Sequence, residues 1–424
     1  MVTLHPSFAT ISLLLLATLA TSVCPSPVSA DARSNLRRGP STPFNSAVSP
    51  ESHLLKSRGT LVNLNLTNIL SAPDPGLALG QSLSGSSKTV DPLPSSSVSL
   101  FPKPNNDAPV PLPAELKETI VRKTLMYAGA AYCPSVSAGN WTCGRYCDAN
   151  PDFVIGYSGG DGSVKQRFFI GWNPPTREIV VGRQGSDLTQ LVSYLYLVGF
   201  LPVKLNKEAA QTFSRLPNSS RAASPQIPVG TLADSLKAPL TGPLLSDFAL
   251  VNLGFQTAWA QTYAEVKQQV QLQLAAHPDA VRVFVTGHSL GATIAVLDAI
   301  ALRDVVPTEI QVEVSVTGQP RLGNPVFAAL LDQLVDNPSQ NFVYNRITNH
   351  ADIFPHLFPM ITGYQHSSNE IWIPTANSTS STPAVLCPGR ENTNCADSQT
   401  QLDIKEHPGP YFGVKVEYPG CADA

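Results

Sequence analysis

Charge is scarce in this chain, and neither sign dominates. Lys and Arg number 28 against 31 Asp and Glu in 424 residues, a formal net charge of −3. That balance supplies neither the basic face that neutralises a phosphate backbone nor a polybasic membrane patch. Nucleic acid is therefore excluded as a partner. Long apolar runs are also lacking: beyond residues 1–30 nothing approaches the roughly 20 apolar residues that span a bilayer, so stable membrane insertion is not expected. Cys143 and Cys147 stand near ligand spacing, but no paired histidines and no second Cys-x-x-Cys accompany them, which argues against a metal site. No internal repeat is found.

What is present begins with an apolar run from Phe8 to Val23, closed by Pro25 and Pro27 and followed by the small-x-small stretch Val28-Ser29-Ala30. Residues 1–30 are expected to be a secretory signal. The alternative, a membrane anchor, is opposed by the shortness of the run and by its prolines. Residues 31–111 are rich in Ser, Pro, Asn and Gly and poor in aromatics, and are expected to be a pro-segment or a disordered arm. Arg37-Arg38 within it is either a dibasic processing site or a solvated pair. Loss of the signal removes Cys24 and leaves Cys133, Cys143, Cys147, Cys387, Cys395 and Cys421. An even count in an exported chain points to disulfides, and the grouping of the cysteines at both ends suggests a bridge between those ends. Asn65, Asn140, Asn218 and Asn377 head Asn-x-Ser/Thr sequons, consistent with an extracellular destination.

The folded domain is expected at 112–424, with a helix starting near Pro113. β-rich runs come first, at Phe153–Ile155, Phe168–Ile170 and Glu178–Val181. Phe255, Trp259, Tyr263, Val266, Val270 and Leu274 then recur at helical spacing. Strands follow at Val281–Thr286, Ile310–Thr317 and Phe342–Thr348, alternating with helices. This alternation predicts the α/β class, a mostly parallel sheet with helices on both faces.

Gly287-His288-Ser289-Leu290-Gly291 lies between a buried strand and a small-residue helix. A serine there sits on a strained strand-to-helix turn, and the flanking glycines are needed where a Cβ would strike neighbouring backbone. The turn also puts the Leu290 N–H and a helix N-terminus where negative charge develops on a substrate oxygen. Gly156-Tyr157-Ser158-Gly159-Gly160 fits the same template but leads through a glycine-rich turn into another strand, so Ser158 is read as a hairpin residue.

A serine hydroxyl needs a base, and the base needs an orienting partner. In the strand-turn-helix architecture the order is Ser, acid, His. Asp352 follows the strand ending at Thr348, on the same sheet edge as the elbow, and His407 lies in a C-terminal loop. Ser289, Asp352 and His407 are therefore the expected catalytic triad. His288 is expected to pack or support, and His350, His356 and His366 are expected to be structural or surface residues.

These residues resemble the fungal class 3 lipases, of the Rhizomucor and Thermomyces type, across about Leu116 to Cys421. The likeness rests on AYCPSVSAGNWTCGRYCD, VTGHSLGA, VTGQPRLGNPVFA, ITNHADIFPHLFP, QHSSNEIWI and EHPGPYFG. The resemblance implies an α/β-hydrolase fold with a lid helix, and the same triad. It implies the pairs Cys133–Cys421, Cys143–Cys147 and Cys387–Cys395. It also implies an oxyanion hole formed by Ser186, in Arg183-Gln184-Gly185-Ser186, and Leu290. The two residues before Gly185 depart from the family's Phe-Arg-Gly-Ser-like pattern.

At the family's lid position, about 187–201, Leu188, Leu191, Val192 and Leu195 belong to a segment that is apolar on nearly every side. Such a segment covers an acyl groove in water and opens at lipid; the alternative is a buried core helix. An insertion at about 203–250 either extends the lid or forms a cleavable loop. The resemblance thus implies a secreted, monomeric triacylglycerol lipase acting on lipid esters at an oil–water interface, with no cofactor and no metal. Feruloyl esterase and phospholipase A1 are the enzyme alternatives, and an inactive lipid carrier is the alternative of another class.

Overall fold

Residues of alternating parity along the strands are apolar on both sides, so the sheet they form must be covered on both faces. In the computed structural model, which describes residues 105–162, 165–186, 201–216, 246–417 and 420–422, the strands are β1 (Val110–Pro111), β2 (Val154–Gly159), β3 (Phe168–Asn173), β4 (Glu178–Arg183), β5 (Pro202–Lys204), β6 (Leu250–Asn252), β7 (Arg282–His288), β8 (Gln311–Thr317), β9 (Phe342–Asn349), β10 (Glu370–Ile373) and β11 (Val385–Cys387). Nine of them make one sheet in the order β1-β11-β10-β9-β8-β7-β4-β3-β2, while β5 and β6 pair separately. On one face Ile179, Val181, Val283 and Val285 join the larger apolar cluster; on the other Val180 and Phe284 join a second one. This is the period-2 alternation of strands buried on both sides.

The sheet is more mixed than the expected mostly parallel one. β4, β7, β8, β9 and β10 run parallel, but β2, β3 and β11 join antiparallel at the flanks, as does β1. The β2–β3–β4 meander has short connections, which only antiparallel pairing permits. The folded part also begins before residue 112. β1 pairs with β11, and the Thr393 N–H donates to the Asn105 carbonyl at 2.7 Å.

A helical run at 114–130, here α1, contains Ala114–Thr119, a π-helical middle at Ile120–Leu125, and Met126–Ala130. It is followed by α2 (Pro134–Ser137), α3 (Arg145–Asp148), α4 (Lys207–Ser214), α5 (Leu253–Ala260), α6 (Tyr263–Ala276), α7 (Leu290–Arg303) and α8 (Pro325–Asp336). The periodicity from Phe255 to Leu274 suggested one helix, yet the chain breaks into α5 and α6 at Gln261-Thr262. Apolar spacing carries no trace of this break, because Trp259, Tyr263 and Val266 all enter the same core. Every residue of α7 is buried, Asp298 and Arg303 included, in a largely apolar helix at the domain centre.

Disulfides join Cys133 to Cys421, Cys143 to Cys147, and Cys387 to Cys395, the pairs implied by the resemblance. The first closes a separation of 288 residues, which in a chain-entropy picture stabilises by about 2–5 kcal/mol. The signal expected at 1–30, residues 31–104 of the expected arm, residues 187–200 of the expected lid and residues 217–245 of the insertion lie outside the described residues. The described ends of the insertion form β5, α4 and β6, with Phe213 fully buried in the core. No helix among the described residues is long and apolar enough to cross a membrane.

Candidate active site

Side chains at the carboxyl ends of parallel strands converge in open α/β sheets, because the loops that leave those ends share one edge. Here the ends of β4, β7 and β9 deliver Ser186, Ser289 and Asp352, and a 3₁₀ turn at Ile404–Glu406 delivers His407.

Ser289 lies between β7 and α7 with φ 59° and ψ −127°. A non-glycine residue there stores about 1–3 kcal/mol of strain, which the surroundings must enforce. They do so through its backbone: the Ser289 N–H donates to the Thr317 carbonyl at 3.1 Å, and its own carbonyl accepts from Ala292 at 3.0 Å. The glycines on either side are required sterically. A Cβ on Gly287 would stand 2.4 Å from the Gly291 carbonyl oxygen, and one on Gly291 would stand 2.6 Å from that of Gln184. The Ser289 Oγ is buried and has no hydrogen-bond partner among the described residues.

His407 Nδ1–H donates to Asp352, 2.9 Å from Oδ2 and 3.1 Å from Oδ1. With Nδ1 carrying the proton, Nε2 presents its lone pair, and it too is buried without a partner among the described residues. Asp352 is fully buried. Its Oδ1 accepts the Phe354 N–H at 2.9 Å, and its own N–H donates to the Asn349 carbonyl. The Phe354 ring covers the imidazole at 3.8 Å between centroids.

Further groups hold the main chain of His407. His288 Nε2 lies 3.0 Å from the His407 carbonyl, an acceptor only, so that nitrogen bears the proton. Burial, reinforced by the neighbouring His407, holds the His288 imidazole well below its ordinary pKa, so the ring is neutral. Its Nδ1 then accepts from the Tyr132 hydroxyl at 2.8 Å. The Tyr411 hydroxyl donates to the same carbonyl at 3.0 Å, and Asn349 Nδ2 donates to the Glu406 carbonyl at 2.8 Å. Gly318, at φ +58°, leaves room for the ring: a Cβ there would be 2.9 Å from His407 Cε1 and 3.1 Å from Nδ1.

Leu290 begins α7, so its N–H has no intrahelical acceptor. The Gly185-Ser186 turn lies against the elbow: a Cβ on Gly185 would lie 2.5 Å from the His288 carbonyl oxygen and 3.1 Å from the Ser289 Cβ. Among the described residues the remaining candidates make no side-chain hydrogen bond with the Ser289 hydroxyl or the His407 imidazole, though two of them adjoin the group. Ser158 lies on β2, in its antiparallel pair with β3, and its Oγ donates to the Val136 carbonyl of α2. His356 bridges the Asp352 and Ala396 carbonyls, His366 Nε2 donates to the Pro355 carbonyl, and His350 stands beside Glu406 at 3.7 Å. Leu188, Leu191, Val192 and Leu195 lie outside the described residues. Among the described residues the one close cluster of metal-ligand types is Glu370, Cys387 and Cys395, and its sulfurs are spent in a disulfide.

Tyr132, Asn349, Glu406, Gly318, Arg183 and Asp298 were not singled out for the site from sequence. Only Asp298 had a readable signal, a lone charge inside the apolar run from Ala292 to Leu302.

A family model described as Lipase (class 3) matches residues 228–362, a range that holds Ser289 and Asp352 and stops before His407. A secreted mono- and diacylglycerol lipase of Malassezia globosa is 28% identical over 278 residues, 64% of this chain and 77% of that protein. A lipase of Rhizomucor miehei is 32% identical over 188 residues, 44% of this chain and 49% of that protein. Among solved structures, lipase II from Rhizopus niveus superposes with a TM-score of 0.57 at 21% identity, covering 73% of this chain and 99% of that one. At that identity the likeness speaks for the fold.

Proposed function

We propose that this chain, which belongs to the class 3 lipase family and has the α/β-hydrolase fold, is a secreted lipase that cleaves acylglycerol esters through Ser289, His407 and Asp352. One observation carries the assignment of roles. A buried imidazole bonded to a buried carboxylate through Nδ1 leaves a partnerless Nε2, and a partnerless serine hydroxyl stands on the adjoining elbow.

In the proposed mechanism Ser289 Oγ attacks the acyl carbon while its proton passes to His407 Nε2. Asp352 holds the tautomer and stabilises the imidazolium. The oxygen of the tetrahedral intermediate rests on the N–H groups of Ser186 and Leu290, each such donor lowering the barrier by about 3 kcal/mol. The glycerol oxygen departs with the proton from His407, and water then repeats the sequence on the acyl-enzyme. No metal or organic cofactor enters these steps.

Long-chain acyl groups are favoured by the apolar segment 187–201, proposed as the lid, and triacylglycerol is the expected substrate at an oil–water interface. The relatives named for mono- and diacylglycerols support a second reading in which partial glycerides are preferred. The chain is proposed to act as an extracellular monomer.

An organophosphate followed by peptide mass spectrometry tests the nucleophile, and Ser289 is the expected site of the adduct. An unlabelled Ser289 would favour a lipid-carrier role. A panel of emulsified tri-, di- and monoglycerides, phospholipids and methyl ferulate then ranks substrates, with acylglycerols expected first. Faster cleavage of methyl ferulate would replace the lipase reading with a feruloyl esterase.

A further inference from the structure

Arg183 closes β4 immediately before Gln184-Gly185-Ser186, and Asp298 lies within α7, nine residues after Ser289. Both side chains are fully buried, and they meet in a forked pair: Arg183 Nε stands 2.6 Å from Asp298 Oδ2, and Nη2 stands 3.0 Å from Oδ1. The remaining Arg183 nitrogen, Nη1, donates to Thr262 Oγ1 at 2.8 Å, at the break between α5 and α6. Trp259 Nε1 donates to Asp298 Oδ1 at 3.0 Å, and the guanidinium lies 4.8 Å from the centroid of the Phe168 ring.

Stability alone gives little reason for such a pair. Desolvation of two charges roughly cancels their attraction, and apolar residues of like volume would hold the core as well. What a forked pair adds is direction, because a planar guanidinium and a carboxylate lock both distance and angle. A second contact lies close by. A Cβ on Gly291 would stand 2.6 Å from the Gln184 carbonyl oxygen and 2.8 Å from that of Arg183, so the end of β4 rests directly on the first turn of α7. The end of β4 is therefore attached to the elbow helix at two points, by backbone at Gly291 and by side chain at Asp298, about two turns further on.

We propose that the Arg183–Asp298 pair is a positioning device that registers the Gly185-Ser186 turn against Leu290, so that the two N–H donors converge on one substrate oxygen. This rests on reading Ser186 and Leu290 as those donors. It also answers how the turn is braced in a chain that departs from the family's pattern before Gly185: the anchoring arginine comes from the last residue of the strand and reaches down the helix. Neither side chain touches substrate.

The test compares the purified full-length chain with Arg183→Lys, Arg183→Met and the double variant Arg183→Met/Asp298→Leu, all normalised by organophosphate titration of Ser289. The double variant fills the volume with apolar groups and is expected to fold, while lacking the directional lock. On a soluble short-chain ester its kcat should fall about 10- to 100-fold, as for a displaced catalytic group, with KM within about twofold. Its affinity for an alkyl boronic acid, which mimics the tetrahedral oxygen, should fall by the same factor, with the pH profile of kcat unmoved. Arg183→Lys, which cannot make the fork, should fall in between and provides the test should the double variant not fold.

Wild-type kcat and boronate affinity in the double variant, or in Arg183→Lys, would overturn the proposal. So would a loss confined to KM. A wild-type chain that takes no label at Ser289, or ignores the boronate, would instead defeat the underlying hydrolase reading.

Discussion

The two edges of the sheet hold their polar side chains in different ways. At the amino edge Glu178 accepts from Lys123, Arg282 and Thr176, and Arg282 also bonds Gln311 and Glu313. Donors meet acceptors there in a set of shared ion pairs. At the carboxyl edge Ser289 Oγ, His407 Nε2, Thr317 Oγ1 and Gln184 Oε1 are buried without partners among the described residues. A buried polar group left unpaired destabilises by about 1–3 kcal/mol, so these four atoms are a cost at the carboxyl edge, where at the amino edge Asn173 Oδ1, also unpartnered among the described residues, stands beside the ion pairs of Glu178. At Ser289 an unpartnered hydroxyl and a positive φ coincide.

That contrast can be broken at either edge. The largest effect is expected from Ser289→Ala or His407→Ala, each lowering kcat about 10⁵- to 10⁶-fold with thermal unfolding little changed; a retained rate measured on a soluble ester would break the comparison. Asp352→Asn keeps the shape but forfeits the tautomer, and should lower kcat about 10⁴-fold. Next comes Gly318→Ala, whose methyl would press on the His407 ring and misplace it; a loss of about 100-fold is expected from a displacement near 1 Å. At the other edge, Glu178→Ala strands Lys123, while the part-exposed Arg282 keeps Gln311 and Glu313, and should cost about 1–3 kcal/mol of stability, read by denaturant unfolding, while kcat per titrated site stays at the wild-type value.

The pH dependence of stability sharpens the same contrast. Burial holds His288 and His366 neutral, both well below the ordinary value of 6.5. The unfolded chain therefore binds more protons than the folded one as pH falls through that value. Stability contributed by these rings is complete above about pH 7.5 and is lost below about 6.5, by about 1.4 kcal/mol per ring per pH unit. Denaturant midpoints across pH 5 to 8 check this, and a flat profile would contradict it.

Legibility in the sequence followed the range of the interactions. The elbow could be read because Gly287, Ser289 and Gly291 are close in the chain and each answers a local steric demand. Asp352 and His407 emerged from order along the chain and position relative to a strand. The supports did not, because Tyr132 meets His288 across 156 residues and Arg183 meets Asp298 across 115, and nothing in local pattern pairs them. The break at Thr262 was hidden for the same reason: its side chain serves Arg183, while the apolar spacing runs on undisturbed. The flanking strands were missed in part because β1 is two residues long and pairs with a strand near the other end of the chain.

The most direct measurement is a crystal structure of the chain inactivated by an alkyl phosphonate. Phosphorus should be bonded to Ser289 Oγ, with one phosphonyl oxygen within hydrogen-bond distance of the Ser186 and Leu290 N–H groups. His407 Nε2 should face the oxygen that stands in for the alcohol, with Nδ1 still on Asp352. Phosphorus on any other residue, or an oxygen turned away from both N–H groups, would contradict the account.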